Sequence, residues 1–236
     1  MQGLRKGTCF FFCLATTWLL FPFQLRSQQQ IQVATDLEIF GTATFDYREV
    51  ATEFSEIEGT PYLEEDFSEG SVLIGNTLYK GVMLRYNAYH DRFEARMDDR
   101  TIEIDPVRTL FDTIYYRDGK FVLKTLSGRE ADGFSHVEVL SGHGTSGLYK
   151  QYSVTLVPAT APGAYSDAEP AKFRTARTEY FLEKDGSIVP FRGWRSLAGL
   201  FGSSPREIRT FARDHELDPG REEDLVTLVR HFSENE

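Results

Sequence analysis

Cysteine occurs only as Cys9 and Cys13, both within the first 27 residues. Without that stretch the chain can form no disulfide, offers no thiol nucleophile and has no cysteine-based zinc or iron–sulfur site. Its core alone must then hold it together. Histidine is sparse as well. The five are His90, His136, His143, His215 and His231, and no two stand at H-x-H or H-x-x-x-H spacing. No metal and no cofactor are expected. Positive charge is in the minority, with 26 Lys+Arg against 36 Asp+Glu and a formal net charge of −10. That balance argues against nucleic acid and anionic lipid as default partners, since both call for a basic face. A hydrophobic content of 41% is enough for a packed core and too high for a disordered chain.

The first residues read as an address. Arg5 and Lys6 form a basic n-region, and residues 8–23 carry no charge. The pattern is that of a secretory signal peptide, with cleavage expected after Ser27. The apolar run is short for a membrane span of about 20 residues, so no transmembrane span is expected after cleavage. The expectation is an exported protein, periplasmic or secreted, whose mature chain contains no cysteine.

Residues 28–70 hold eleven acids and one base, Arg48. No D-x-D-x-D-G spacing is present, so this acidic N-terminal segment reads as a solvated lead-in rather than a calcium arm. Tyr47, Val50, Phe54 and Ile57 have the spacing of a short helix.

Residues 71–236 read as a single β-rich domain. Leu78, Val82, Leu84 and Tyr86 alternate with Tyr79, Gly81, Met83 and Arg85, and Phe93, Ala95 and Met97 alternate with Arg92, Glu94 and Arg96. Asp118-Gly119 and Asp185-Gly186 sit between β-prone runs and mark hairpins. Further strands are expected over 137–140 and 148–157. Residues 195–236 form a helical C-terminal element. Ser204-Pro205-Arg206-Glu207 is a capping box with proline at the first helical position. Asp218-Pro219 is expected to start another helix, whose Leu225, Leu228, Val229 and Phe232 make one apolar stripe. The fold class is α+β: a curved antiparallel sheet or partial barrel with two to three C-terminal helices.

Gly142-His143-Gly144-Thr145-Ser146-Gly147 matches G-x-G-x-x-G literally. A dinucleotide site needs a helix after it, whereas the following residues read as a strand, so a hairpin loop is expected. Asp91, Asp98, Asp99, Glu103 and Asp105 could supply the two facing carboxylates of a glycoside hydrolase. The densest polar–aromatic stretch runs from Arg85 to Asp91. Arg85, Tyr86 and Tyr89 are the candidate ligand-binding residues, because tyrosine stacks on rings and arginine forks to carboxylate or phosphate. The same stretch also reads as a strand running into a turn shaped by Asn87 and Asp91.

Gly59-Thr60-Pro61-Tyr62-Leu63, the run from Tyr79 to Glu94, and Glu222-Glu223-Asp224-Leu225 resemble a family of uncharacterised exported bacterial proteins. The resemblance covers most of the mature chain. It implies export and one β-rich fold with C-terminal helices, and it brings no catalytic residue. The expected function is a non-enzymatic envelope or periplasmic binding or interaction module. Its partner would be an apolar ligand or an envelope protein. The alternatives are a carboxylate-dependent hydrolase and a structural component of an envelope assembly.

Overall fold

The computed structural model describes residues 32–34, 54, 57–97, 100–104, 111–126, 134–143, 146–162 and 167–234. The expected signal peptide, most of the expected 47–57 helix, and Asp98, Asp99, Asp105 and Gly144 lie outside the described residues.

Among the described residues, eleven strands precede three helices. They are β1 (Gln32–Ala34), β2 (Ser68–Ile74), β3 (Thr77–Asn87), β4 (Arg92–Met97), β5 (Arg100–Ile104), β6 (Phe111–Tyr116), β7 (Gly119–Thr125), β8 (Phe134–His143), β9 (Ser146–Val157), β10 (Lys172–Lys184) and β11 (Ser187–Pro190). The helices are α1 (Trp194–Phe201), α2 (Pro205–Asp214) and α3 (Glu222–Glu234). All strands belong to one open sheet in the order β11-β10-β9-β8-β7-β6-β2-β3-β4-β5, with β1 beside β3. Every pairing is antiparallel except β1–β3. The fold is therefore α+β, as the strand-then-helix pattern of the sequence indicates.

Ordered pairing reaches into the acidic stretch. β2 begins at Ser68, Glu58 bridges to Lys172, and Tyr62 bridges to Asn87. β2 lies between β3 and β6, so the first strands are stitched to the later ones through the middle of the sheet.

One residue sets the phase of β3. Gly70 pairs with Val82 and Ser71 with Lys80, which leaves Gly81 without a partner as a bulge. Its φ of 74° is left-handed, a conformation that favours glycine. Beyond the bulge the faces exchange. Val82, Leu84 and Tyr86 are buried, while Tyr79, opposite fully buried Val72, joins them from the other side of the bulge.

Among the described residues, three apolar clusters form the core. The largest joins Val72, Val82, Leu84, Tyr86, Phe93, Ile104, Ile114 and Phe121 with Val154 and Phe173 of the later strands. The second docks the helices: Leu197, Phe201, Ile208, Leu225, Leu228 and Val229 pack with Leu148 and Leu182, which are cross-strand neighbours. The third, with Val137, Tyr149, Phe181 and Ile188, lies on the other side of β9. The helices thus cover one face of the β9–β10 end of the sheet, α3 against β8 and β9 and α1 against β10.

The helix starts follow their caps. Ser204 accepts from the Glu207 amide at 3.2 Å, and its own amide donates to Glu207 Oε2 at 2.7 Å. This is the capping box expected from the sequence. Asp218-Pro219 differs from expectation. The Asp218 side chain accepts from the Gly220 amide at 2.8 Å and so forms a turn, and α3 begins only at Glu222.

Candidate functional site

The Arg85–Asp91 stretch spans the end of β3 and the turn into β4. Asn87 organises that turn by accepting the amides of Tyr89 at 3.2 Å and His90 at 3.0 Å. Asp91 closes it with a φ of 55°, a position Asp tolerates better than most side chains.

The turn is inserted between two strands. The β8–β9 ladder ends at Glu138↔Lys150. Past that point Val154 of β9 donates its amide to Ala88 at 3.0 Å, and His136 of β8 donates its amide to Asp91 Oδ1 at 3.1 Å. The Asp91 carboxylate thus takes the place of a ladder carbonyl. It also accepts the Tyr86 hydroxyl at 2.7 Å, and the Gln151 amide approaches Oδ2 at 3.5 Å. His136 Nδ1 donates to the Asp91 carbonyl at 2.9 Å and lies 3.1 Å from Oδ1. Burial alone would raise the Asp91 pKa. The hydrogen bonds and charge of His136 and the Tyr86 hydroxyl outweigh it and hold the carboxyl below its ordinary value.

The His136 side chain has no exposed surface. It stacks on Phe111 at 5.7 Å and meets Phe93 edge-on at 5.3 Å. Among the described residues, His136 Nε2 and Gln151 Oε1 are buried without a hydrogen-bond partner. His136 was not singled out from the sequence, and the only signal for it was its place in an alternating strand.

Each candidate ligand residue has a place in this framework. Arg85 forks onto Glu94 Oε2 from Nη2 at 2.6 Å and Nε at 3.2 Å. It stacks on the Tyr62 ring at 3.6 Å, and Nη1 donates to the Glu65 carbonyl at 3.2 Å. Glu94 and burial push the Tyr62 hydroxyl up to about 12, burial being the larger cause. Tyr86 is fully buried, with its ring 4.9 Å from Phe93. Tyr89 is half-buried against Phe54 and Phe173. Of the candidate carboxylates, Asp91 is bound as above and Glu103 pairs with Arg92 at 3.4 Å.

A second polar assembly, missed from the sequence, crosses β8, β9 and β10 between the first two clusters. Glu138 and Tyr180 are the cross-strand neighbours of Lys150. Lys150 Nζ lies 2.9 Å from Glu222 on α3 and 3.7 Å from Glu138. Tyr152 donates to Glu138 at 2.6 Å, and Tyr180 donates to Glu222 at 2.9 Å. Burial, then the bond to Glu138, pushes Tyr152 up to about 12. For Lys150, burial favours the neutral form, but Glu222, Tyr152 and Glu138 prevail and hold it charged well above the ordinary lysine range. A groove of about 210 Å³ opens beside this belt, between Glu138, Tyr152 and the Arg117-Asp118 turn. On the other side of β9, Lys124 lies 2.8 Å from Glu183, which also accepts the Tyr149 hydroxyl.

The glycine-rich motif is the end of the β8–β9 hairpin: Gly142 pairs with Gly147 and His143 with Ser146. A strand follows it, with no helix N-terminus for a pyrophosphate.

The largest solvent-facing apolar side chains of the early strands are Tyr115 (40% exposed) and Met83 (37% exposed). Both stand on the outer face of the sheet, Tyr115 opposite Ser71 and Met83 opposite Glu69. Comparison with known protein families, curated proteins and solved structures gave no match. The family resemblance therefore rests on the motif residues alone.

Proposed function

We propose that this chain is an exported, non-enzymatic binding or interaction module of the envelope. On this reading it works through the outer face of its sheet. The observation that supports it most is a contrast among the side chains of the early strands. The polar groups of Arg85, Tyr86, Asp91 and Glu94 are bound to one another and to their neighbours, whereas Tyr115 and Met83 face solvent on a hydrogen-bonded sheet. A rigid sheet holds such side chains in place at little entropic cost on binding. Export rests on Arg5, Lys6 and the uncharged run that follows.

The test has two parts. Expressed with its own N-terminus in a bacterial host, the protein should leave the cytosol, and its N-terminal sequence should begin near Gln28. Retention of Met1 in cytosolic protein overturns export. The double variant Met83→Ala/Tyr115→Ala should keep the wild-type urea midpoint yet recover less envelope material on an affinity column. Equal recovery overturns the assignment to this face.

A further inference from the structure

The outer face carries a second regularity, set by strand register. Lys80 of β3 is opposite Ser71 of β2, Ser71 is opposite Tyr115 of β6, and Tyr115 is opposite Lys120 of β7. Cross-strand partners share a face, so Lys80, Ser71, Tyr115 and Lys120 form one row perpendicular to four strands. The Gly81 bulge is what turns Lys80 outward. Lys80, Tyr115 and Lys120 are all exposed. Neither lysine belongs to an ion pair among the described residues. Three strand spacings separate them, about 14 Å across the sheet. In the next row Met83 lies between Glu69 and the exposed cation Arg96.

We propose that this row is a binding face for a linear anionic polysaccharide. Tyr115 would stack on the apolar face of one sugar ring, and Lys80 and Lys120 would meet acidic groups on either side. A small anion would reach only one lysine, whereas a linear polymer spans both. An anionic bilayer fits less well. It would face a wide area of a chain whose net charge is −10, while a polymer engages only the local basic row. This inference names the partner of the face described under the proposed function and rests on that reading.

The test uses the mature protein and polygalacturonate, an acidic polymer with a carboxylate on each sugar, at low and physiological salt. Wild type should bind it and lose affinity as salt rises. Lys80→Ala/Lys120→Ala should weaken binding at least tenfold and flatten the salt dependence. Tyr115→Ala should weaken it about fivefold, Tyr115→Trp should retain it, and exposed Arg209→Ala on α2 should leave it unchanged. All four variants should keep wild-type urea midpoints, which separates lost binding from lost folding. No binding by wild type, equal binding by the lysine variant, or tighter binding to neutral dextran, a single-stranded oligonucleotide or phosphatidylglycerol vesicles overturns the inference. The underlying reading fails in a different way. If the polymer is recovered shortened, the non-enzymatic assignment falls while the face stands. If polygalacturonate is ignored but Met83- and Tyr115-dependent recovery of envelope material persists, only the polysaccharide falls.

Discussion

His136 and Asp91 hold each other twice: the imidazole Nδ1 donates to the Asp91 carbonyl at 2.9 Å, and the His136 amide donates to the Asp91 carboxylate at 3.1 Å. Forty-five residues apart, they join the turn after β3 to a strand in the later half of the sheet. The sites where the fold is most sensitive follow from such junctions.

Asp91 should make the fold acid-sensitive. Its folded pKa lies below the unfolded value of about 3.9. The stability it contributes is therefore present above that pH and lost as the pH falls through the folded value. Asp91→Asn keeps a residue suited to left-handed φ and should cost about 1–3 kcal/mol at pH 7. Its urea midpoint should fall less steeply than that of wild type below about pH 4. Parallel acid limbs would show that Asp91 does not carry this charge linkage.

Arg85 is tested by its partner. Glu94 keeps 2% of its side-chain surface exposed, so Arg85→Ala would leave a buried carboxylate without its cation. The expected cost is about 3–5 kcal/mol. Glu94→Gln should recover part of that loss in the Arg85→Ala background, giving a coupling in a double-mutant cycle of urea midpoints. Additive costs would mean the pair is not coupled.

Two glycines should respond in opposite directions. A Cβ on Gly70 would come within 2.5 Å of the Tyr115 carbonyl and 2.7 Å of Leu84 Cδ1. Backbone cannot step aside as a flexible side chain can, so Gly70→Ala should destabilise by about 1–3 kcal/mol. Gly199 lies within α1 with open space around it, and Gly199→Ala should stabilise by about 0.5–1 kcal/mol. Thermal midpoints of the two variants, measured together, check the contrast.

The helices are part of the core. Leu228 has no exposed surface, and Leu228→Ala should cost about 2–5 kcal/mol. Arg221→Ala removes the exposed partner of part-buried Asp224 and should cost under about 1 kcal/mol. An unchanged urea midpoint and slope for Leu228→Ala would make α3 a tail instead of a bolted element.

Local chemistry was legible in the sequence wherever it acts over a few residues. Ser204 and Glu207 announced α2, the Leu225–Leu228–Val229 stripe announced the docking of α3, and alternation marked most strands. Features that depend on distant chain were not legible. Simple alternation groups Leu78 with Val82, but Gly81 bulges and exchanges the faces. Asp118-Gly119 reads as the turn from sequence, whereas Arg117 holds the positive φ of 54° and Gly119 already pairs with Tyr116. Asp91 suited a turn on local grounds, yet its partner His136 is visible only once the sheet curls. The Lys80–Tyr115–Lys120 row has no sequence signature, since its members come from three separate strands.

The place of β2 has a consequence for how the molecule comes into being. Its hairpin partner β3 follows after two residues, but its other neighbour, β6, begins only at Phe111. At about 5–20 residues per second, a growing chain leaves that side of β2 without its native neighbour for roughly 2–7 seconds. An unpaired edge of that kind invites pairing with another chain. A nascent molecule halted before β6 therefore exposes a ready template for self-association, and a holding chaperone acting in that interval would protect the strand on which the two halves later meet.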